Sequence, residues 1–265
     1  AYADTPTAIT LAVLGILVWM ILNDLENDNP STLTLAWHFS LVSALFINLK
    51  QVNPVLLAIL LMAAMLIAWR DPKIKVKSLL RLLPIMLIGP VIVFLSWRYH
   101  IGQHFAGGEF QFKPFDEWLV PQAFNIFSRM VLVLSKKGFY FAMMGGLSLY
   151  AVRSLFRYHG EFDRMAIITG SLFIGYNLFL LITYITAFDS YEGPRVASLW
   201  RYNTQLGLLG CTAAVYGLSI LWSNVEIKPT ARTLFSGLAI ALVVGAPFVT
   251  AERLRFDIRP PKDHM

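Results

Sequence analysis

The segment FDSYEGPRVASLWRYN, residues 188–203, places charged and hydrogen-bonding side chains between two long apolar stretches. Asp189 and Glu192 stand three positions apart, and Arg195 and Arg201 bracket the sequence VASLW. Carboxylates serve as general bases or metal ligands, and arginine binds phosphate oxygens in a bidentate geometry. Charges beside a membrane span are costly unless a ligand or an opposite charge offsets them. The segment therefore indicates either a site for an anionic substrate or internal pairing, Glu192 with Arg195 or Asp189 with Arg201.

Other chemistry-bearing residues lie in two further connections. Lys50 opens the short turn KQVNP, and His100, His104 and Glu109 belong to the long connection 98–120. Histidines at i and i+4 share one face of a helix and suit a metal, but two histidines without a third ligand favour interfacial polar residues. We expect these three residues to contribute to a substrate loop. No metal site is predicted, although a divalent cation on Glu192 or Asp189 is an open alternative.

Composition defines the elements that must position these groups. The chain has 265 residues, of which 57% are hydrophobic and only 14% charged, with a mean hydropathy of +0.60. A soluble domain carries about a quarter charged residues. Apolar runs long enough to cross ~30 Å of hydrocarbon recur along the chain, without the alternating ten-residue segments of a β-barrel. We therefore predict an all-α, polytopic transmembrane bundle in a lipid bilayer, with no nucleic-acid partner despite the net charge of +6.

The hydropathy pattern predicts eight spans, at about 8–23, 33–49, 54–69, 79–97, 138–155, 165–187, 204–222 and 233–250. Basic residues cluster in 70–81 and 153–164, and the positive-inside rule places both segments on the cytoplasmic side. An even number of crossings must then separate them. The apolar segment 121–135 is short and contains Arg129, so we expect an amphipathic helix lying in the membrane interface.

This topology gathers the Lys50 turn, the connection 98–120 and the segment 188–203 on the outer side. We expect a transmembrane domain over 1–250 and an extracytoplasmic tail over 251–265 that leads towards further chain. A cavity open to the outer leaflet and lined by such residues suits a substrate that carries phosphate or sugar, because arginine binds phosphate and aromatic rings cover sugar faces.

The sequences LFINLKQVNPVLL (45–57), AWRDP (68–72) and ASLWRYNTQLGLL (197–209) together resemble the C-terminal half of GT-C fold glycosyltransferases. These multispanning enzymes use polyprenyl-phosphate-linked sugars. In that superfamily a late extracytoplasmic loop often ends in an Arg-Tyr pair that enters a span, and Arg201 and Tyr202 match that pair. Lys50 resembles the lysine that faces the lipid-phosphate cavity. The likeness covers most of the chain as short motifs and hydropathy.

The resemblance implies transfer of a sugar to an acceptor hydroxyl on the extracytoplasmic face of a bacterial inner membrane. Lys50, Arg195, Arg201 and Tyr202 would then bind the lipid phosphate. Glu192 or Asp189 would be the catalytic carboxylate. Family members carry a catalytic acid in the first extracytoplasmic loop, and the first eight residues here offer only Asp4. We therefore expect the catalytic half to precede residue 1.

Two alternatives remain open. An O-antigen polymerase or ligase also uses periplasmic arginines around a lipid pyrophosphate, although the connection 98–120 is modest for that class. A non-catalytic subunit that scaffolds a larger membrane complex, with other membrane proteins as partners, would also show aromatic spans without a clear catalytic cluster. Convergence of Lys50, Arg195 and Arg201 on one outer cavity would favour the enzyme.

Overall fold

The computed structural model describes residues 4–104, 113–158 and 160–223, with four isolated positions between 237 and 245. All regular secondary structure in the described part of the chain is helical, and that part contains no strand. Residues 1–218 form one compact unit. The helices are α1 (Asp4–Glu26), α2 (Thr32–Leu49), α3 (Asn53–Arg70), α4 (Val76–His104), α5 (Ala123–Ser135), α6 (Gly138–Phe156), α7 (Glu161–Thr186), α8 (Glu192–Arg195) and α9 (Leu199–Ser223).

Eight helical segments of the described residues are long and apolar enough to cross a membrane. Seven of them, α1 to α4, α6, α7 and α9, coincide with the first seven predicted spans. The eighth is Phe115–Ser135, and the predicted span 233–250 and tail 251–265 lie outside the described residues, apart from isolated positions. The chain is a multi-pass helical membrane protein, as its composition predicts.

The segment Phe115–Ser135 starts and finishes at the same end of the bundle. At its start, the Leu119 amide donates to the Ile185 carbonyl at the C-terminal end of α7. Beyond its finish, Lys137 lies 5.2 Å above the ring of Trp200, at the N-terminal end of α9. The helical part, α5, has 13 residues, so it reaches only about 20 Å, less than the ~30 Å hydrocarbon thickness. This geometry matches the predicted interfacial helix.

The two ends of the bundle are distinguished by their polar contacts. At the first, which we call the Lys50 end, α1, α3, α6 and α9 begin and α2, α4 and α7 finish. At the second, the Arg164 end, the Arg164 guanidinium contacts Asp71 at 2.6 Å and also binds Glu26 and the Asn23 side chain. Arg164 is 1% exposed, so it does not contribute an exposed charge to the basic segment 153–164. Its charge is buried against two carboxylates.

Small residues allow the helices to approach closely. A Cβ on Gly89 would lie 2.6 Å from the Ser40 carbonyl oxygen, so only glycine fits where α4 crosses α2. The Gly89 amide donates to the Ser40 hydroxyl at 2.9 Å. A Cβ on Gly170 of α7 would similarly meet Ala151 of α6 at 2.7 Å. Close approach through glycine and serine is typical of membrane helices, which associate through packing and hydrogen bonds.

Candidate functional site

The Lys50 end contains an ion cluster centred on one carboxylate. Asp4, the first residue of α1, binds Lys50 through Oδ1 and the Nε of Arg201 through Oδ2 at 3.3 Å. Gln205, one turn further along α9, donates its amide to Asp4 Oδ1 at 3.2 Å. Lys50 follows the last residue of α2, so three helices contribute to the cluster. Lys50 and Arg201 therefore lie together, with Asp4 between them. The expected convergence of Lys50, Arg195 and Arg201 on one cavity is not seen, because the cavity that Lys50 lines includes neither of these two arginines.

The two cations differ in exposure. The side chain of Lys50 is 18% exposed, whereas that of Arg201 is 52% exposed. Only the Nε of Arg201 is paired with Asp4, and its guanidinium lies 5.7 Å from the ring of Tyr202. Because guanidinium presents five donors in a planar fork, Arg201 retains donors that can bind a second anion. Lys50 is held more tightly inside the cluster.

A cavity of about 330 Å³ lies between the α2–α3 turn and α4 and is lined on one side by Lys50 and Gln51. Its opposite wall is formed by Phe94, Trp97 and Arg98 of α4. Aromatic and basic residues together are typical of the membrane–water interface. We call this the basic cavity.

A second cavity, of about 380 Å³, lies between α3 and α7. We call it the tyrosine cavity, because Tyr176 and Tyr202 both line it; the remaining lining residues are Gln51, Val52, Val55, Phe179, Leu180, Thr183 and Phe188. Gln51 lines both cavities, so the α2–α3 turn separates them. Both volumes fall in the range of ~300–1,000 Å³ that small-molecule sites occupy.

The two predicted catalytic carboxylates, Asp189 and Glu192, lie in one local turn. The Asp189 side chain accepts hydrogen bonds from the backbone amides of Tyr191 at 2.9 Å and Glu192 at 2.6 Å. These bonds stabilise the ionised carboxyl and hold the pKa of Asp189 below its ordinary value. A carboxylate that caps a turn in this way is a weak base. Glu192 is exposed, and it begins the short helix α8.

Arg195 lies 3.6 Å above the ring of Tyr191, a cation–π contact. Within the described ranges it forms no ion pair with Glu192 or Asp4, and Asp189 forms none with Arg201. The internal pairings that the sequence left open are therefore wrong. Arg195 is exposed at the same end as the Asp4 cluster, but no ion pair among the described residues joins the two. Its lipid-phosphate role stays a prediction.

The two histidines of the predicted substrate loop stack on each other. Their ring centroids are 4.4 Å apart at the C-terminal end of α4, and a ring nitrogen of His104 lies 3.0 Å from the His100 carbonyl oxygen. Glu109 lies outside the described residues. Among the described residues, no three histidine, cysteine, aspartate or glutamate side chains gather as a metal site would require.

An amide pair fixes α9 beside α7 below the cluster. Asn177 and Asn203 exchange two side-chain hydrogen bonds, both of 3.0 Å. The Tyr140 hydroxyl of α6 donates to the Asn203 carbonyl oxygen at 2.8 Å. Asn177 therefore links α7 to α9 through side-chain hydrogen bonds. The network determines where the first turn of α9, with Arg201 and Tyr202, projects.

Asp4 is the residue that sequence reasoning undervalued. It is the sole acid of the first eight residues, and no motif surrounds it. The available signal was topological: a carboxylate at the start of the first span must be close to the ends of the neighbouring helices at the same end of the bundle. Gln205, a polar residue inside an apolar span, was a second signal, since such residues are usually paired.

Comparison of the chain with protein-family models, with curated proteins and with solved structures found no match.

Proposed function

We propose that the protein is a GT-C-like membrane glycosyltransferase that moves a sugar from a polyprenyl-phosphate donor to an acceptor hydroxyl. The observation that carries this proposal is the meeting of Lys50 and Arg201 on Asp4, at the end of the bundle where Lys50 also lines the basic cavity. Two cations from different helices can neutralise a phosphate, and stabilising charge that develops on a leaving group accelerates the reaction. The motif likeness in 45–57 and 197–209 supports the same function.

In the proposed reaction the acceptor oxygen attacks the anomeric carbon and forms the new glycosidic bond. The bond between that carbon and the phosphate oxygen breaks, and the polyprenyl phosphate leaves with the electron pair. A carboxylate takes the proton of the acceptor hydroxyl. Asp4 joins Glu192 and Asp189 as a candidate for this base. When the donor phosphate engages Lys50 and Arg201, it competes with Asp4 for these cations, so Asp4 becomes available to accept a proton.

The proposal places the Lys50 end on the extracytoplasmic face of a bacterial inner membrane. This orientation would place the basic α3–α4 connection, with Lys73, Lys75 and Lys77, and the end of α6, with Arg153 and Arg157, on the cytoplasmic side, as the positive-inside rule favours. The orientation rests on these two segments, since the described residues of the Lys50 end carry as many lysines and arginines in total. The lipid bilayer and a polyprenyl-linked sugar are the implied partners.

The test is donor consumption. Membranes containing the full chain are incubated with a polyprenyl phosphate that carries a radiolabelled sugar, and the remaining lipid-linked sugar is measured. The proposal expects consumption by the wild type and at least a hundredfold loss for Arg201→Ala. Arg81→Ala, an exposed arginine at the Arg164 end, is the matched control and should retain full activity. Equal consumption by wild type and Arg201→Ala would overturn the proposal.

A further inference from the structure

The tyrosine cavity contains a buried hydroxyl without a partner. Tyr176 is 0% exposed, and its hydroxyl has no hydrogen-bond partner among the described residues. Buried polar groups in folded proteins are nearly always paired, because an unpaired group loses its hydrogen bonds to water. The hydroxyl of Tyr176 therefore indicates a ligand or water that supplies the missing partner.

A second buried polar atom without a partner in the described part of the chain belongs to Gln205. Gln205 is fully buried and donates its amide nitrogen to Asp4, but its Oε1 has no partner among the described residues. Two buried side chains thus each leave one hydrogen-bonding atom without a partner within the described ranges, and that of Tyr176 belongs to a residue that lines the tyrosine cavity. A hydroxyl group complements the Tyr176 hydroxyl, because it donates one hydrogen bond and accepts others.

The walls of the tyrosine cavity indicate what carries that hydroxyl. Tyr176, Phe179, Leu180 and Thr183 follow one another at helical spacing on one face of α7, and Val52 and Val55 of α3 also line the cavity. Between Tyr176 and Thr183 the cavity follows the axis of α7 for about 10 Å. The hydroxyl of Thr183 is already bonded to the Phe179 carbonyl. The cavity is therefore an elongated apolar slot with its unpaired tyrosine at one end.

We propose that the tyrosine cavity binds an alcohol with an aliphatic body, its hydroxyl placed against the unpaired hydroxyl of Tyr176. This inference rests on the proposed function, in which the bound alcohol is the acceptor and the basic cavity is left for the phosphate-bearing donor. The separation of the two cavities by Gln51 matches a two-substrate reaction. The acceptor class is then an amphiphile rather than a soluble sugar or a peptide.

The test is photolabelling of the purified full chain in lipid nanodiscs with a diazirine-bearing decanol, which requires no sugar transfer. We expect labelled peptides from α3 and α7, and competition by excess decanol but not by decane. Val55→Trp, which fills the slot, should abolish this labelling. Leu178→Trp, on the exposed face of α7, is the matched control and should leave it unchanged. Tyr176→Phe should reduce the preference for decanol over decane at least fivefold.

Three results would overturn the inference: labelling confined to the exposed helix faces, labelling that persists in Val55→Trp, or equal competition by decane and decanol. The last result would mean that water satisfies Tyr176 and Gln205. If the wild-type protein consumes no donor but is still labelled by the alcohol probe, the proposed glycosyltransferase activity is wrong and the alcohol site is still supported. A failure of the proposed function can therefore be told apart from a failure of this inference.

Discussion

Lys50 and Arg201 meet at the same carboxylate, although one follows α2 and the other lies in the first turn of α9. Asp4 binds each through a different oxygen and thereby holds three helices together at the Lys50 end. The two cations would repel each other without it. The cluster is consequently both a structural joint and a preformed pair of positive charges whose counter-ion belongs to the protein.

Asp4→Asn is expected to separate anion binding from turnover. Removing the carboxylate leaves Lys50 and Arg201 without their counter-charge, so the affinity for inorganic pyrophosphate should rise by about tenfold, which is ~1.4 kcal/mol. Donor consumption should fall because a candidate base is lost. Isothermal titration with pyrophosphate and the radiolabel assay check both. Asp116→Asn, an exposed acid in the turn before α5, is the control; lowered pyrophosphate affinity in Asp4→Asn would contradict this account.

At the other end of the bundle, Arg164→Ala should strongly destabilise the fold. It leaves Asp71, whose side chain is 0% exposed, as an unpaired buried charge, and breaking one partner of a buried pair costs about 3–5 kcal/mol. Thermal unfolding in detergent measures the change, with exposed Arg81→Ala as the control. Arg164→Gln combined with Asp71→Asn should recover part of the loss, since neither charge is then buried alone. No recovery in the double variant would contradict direct pairing.

The amide pair Asn177–Asn203 should show positive coupling. Each Asn→Leu substitution leaves the other amide without its partner between two helices. Hydrogen bonds between membrane helices contribute on average about 0.6 kcal/mol and at most about 1.7 kcal/mol. A double-mutant cycle on the free energy of unfolding should therefore give a coupling of about 1 kcal/mol. Additive single effects would mean that the two amides act independently.

The turn at Asp189 should lose protection in acid. Its carboxyl pKa is lowered in the folded protein, because the ionised form accepts two backbone hydrogen bonds. A lowered folded-state pKa stabilises the turn above the ordinary carboxyl pKa of about 4 and loses that effect as the pH falls through the folded value. Amide exchange at Tyr191 and Glu192, corrected for intrinsic rates, should accelerate below pH ~4. Asp189→Asn should abolish this pH dependence; its persistence would contradict the cap.

Much of the fold follows from the sequence, because a chain in a bilayer must satisfy its backbone hydrogen bonds within each helix. Hydropathy located seven helices. The segment 121–135 has a composition that suits a span, but the requirement for an even number of crossings between the two basic segments predicted an interfacial helix instead. Helix ends were less predictable. α4 extends to His104, beyond the predicted residue 97, because hydropathy does not mark where a helix continues past the hydrocarbon.

The site was predictable only in part. Topology brought Lys50 and Arg201 to one end, but the role of Asp4 depends on a contact between residues far apart in sequence. Local backbone geometry also determines the hydrogen-bond partners of Asp189, which caps a turn instead of pairing with Arg201. The burial of Arg164 was equally hidden, since its position next to Asp163 and Glu161 resembles a solvated loop. Side-chain partners of this kind are set by helix packing rather than by sequence spacing.

The most direct measurement of the central claim is the binding of polyprenyl phosphate to the purified chain by native mass spectrometry. The wild type should retain one polyprenyl phosphate, and Lys50→Ala and Arg201→Ala should each lower its occupancy at least tenfold. Arg81→Ala, at the Arg164 end, should match the wild type. Equal occupancy in Lys50→Ala, Arg201→Ala and the wild type would contradict a lipid-phosphate site at the Lys50 end.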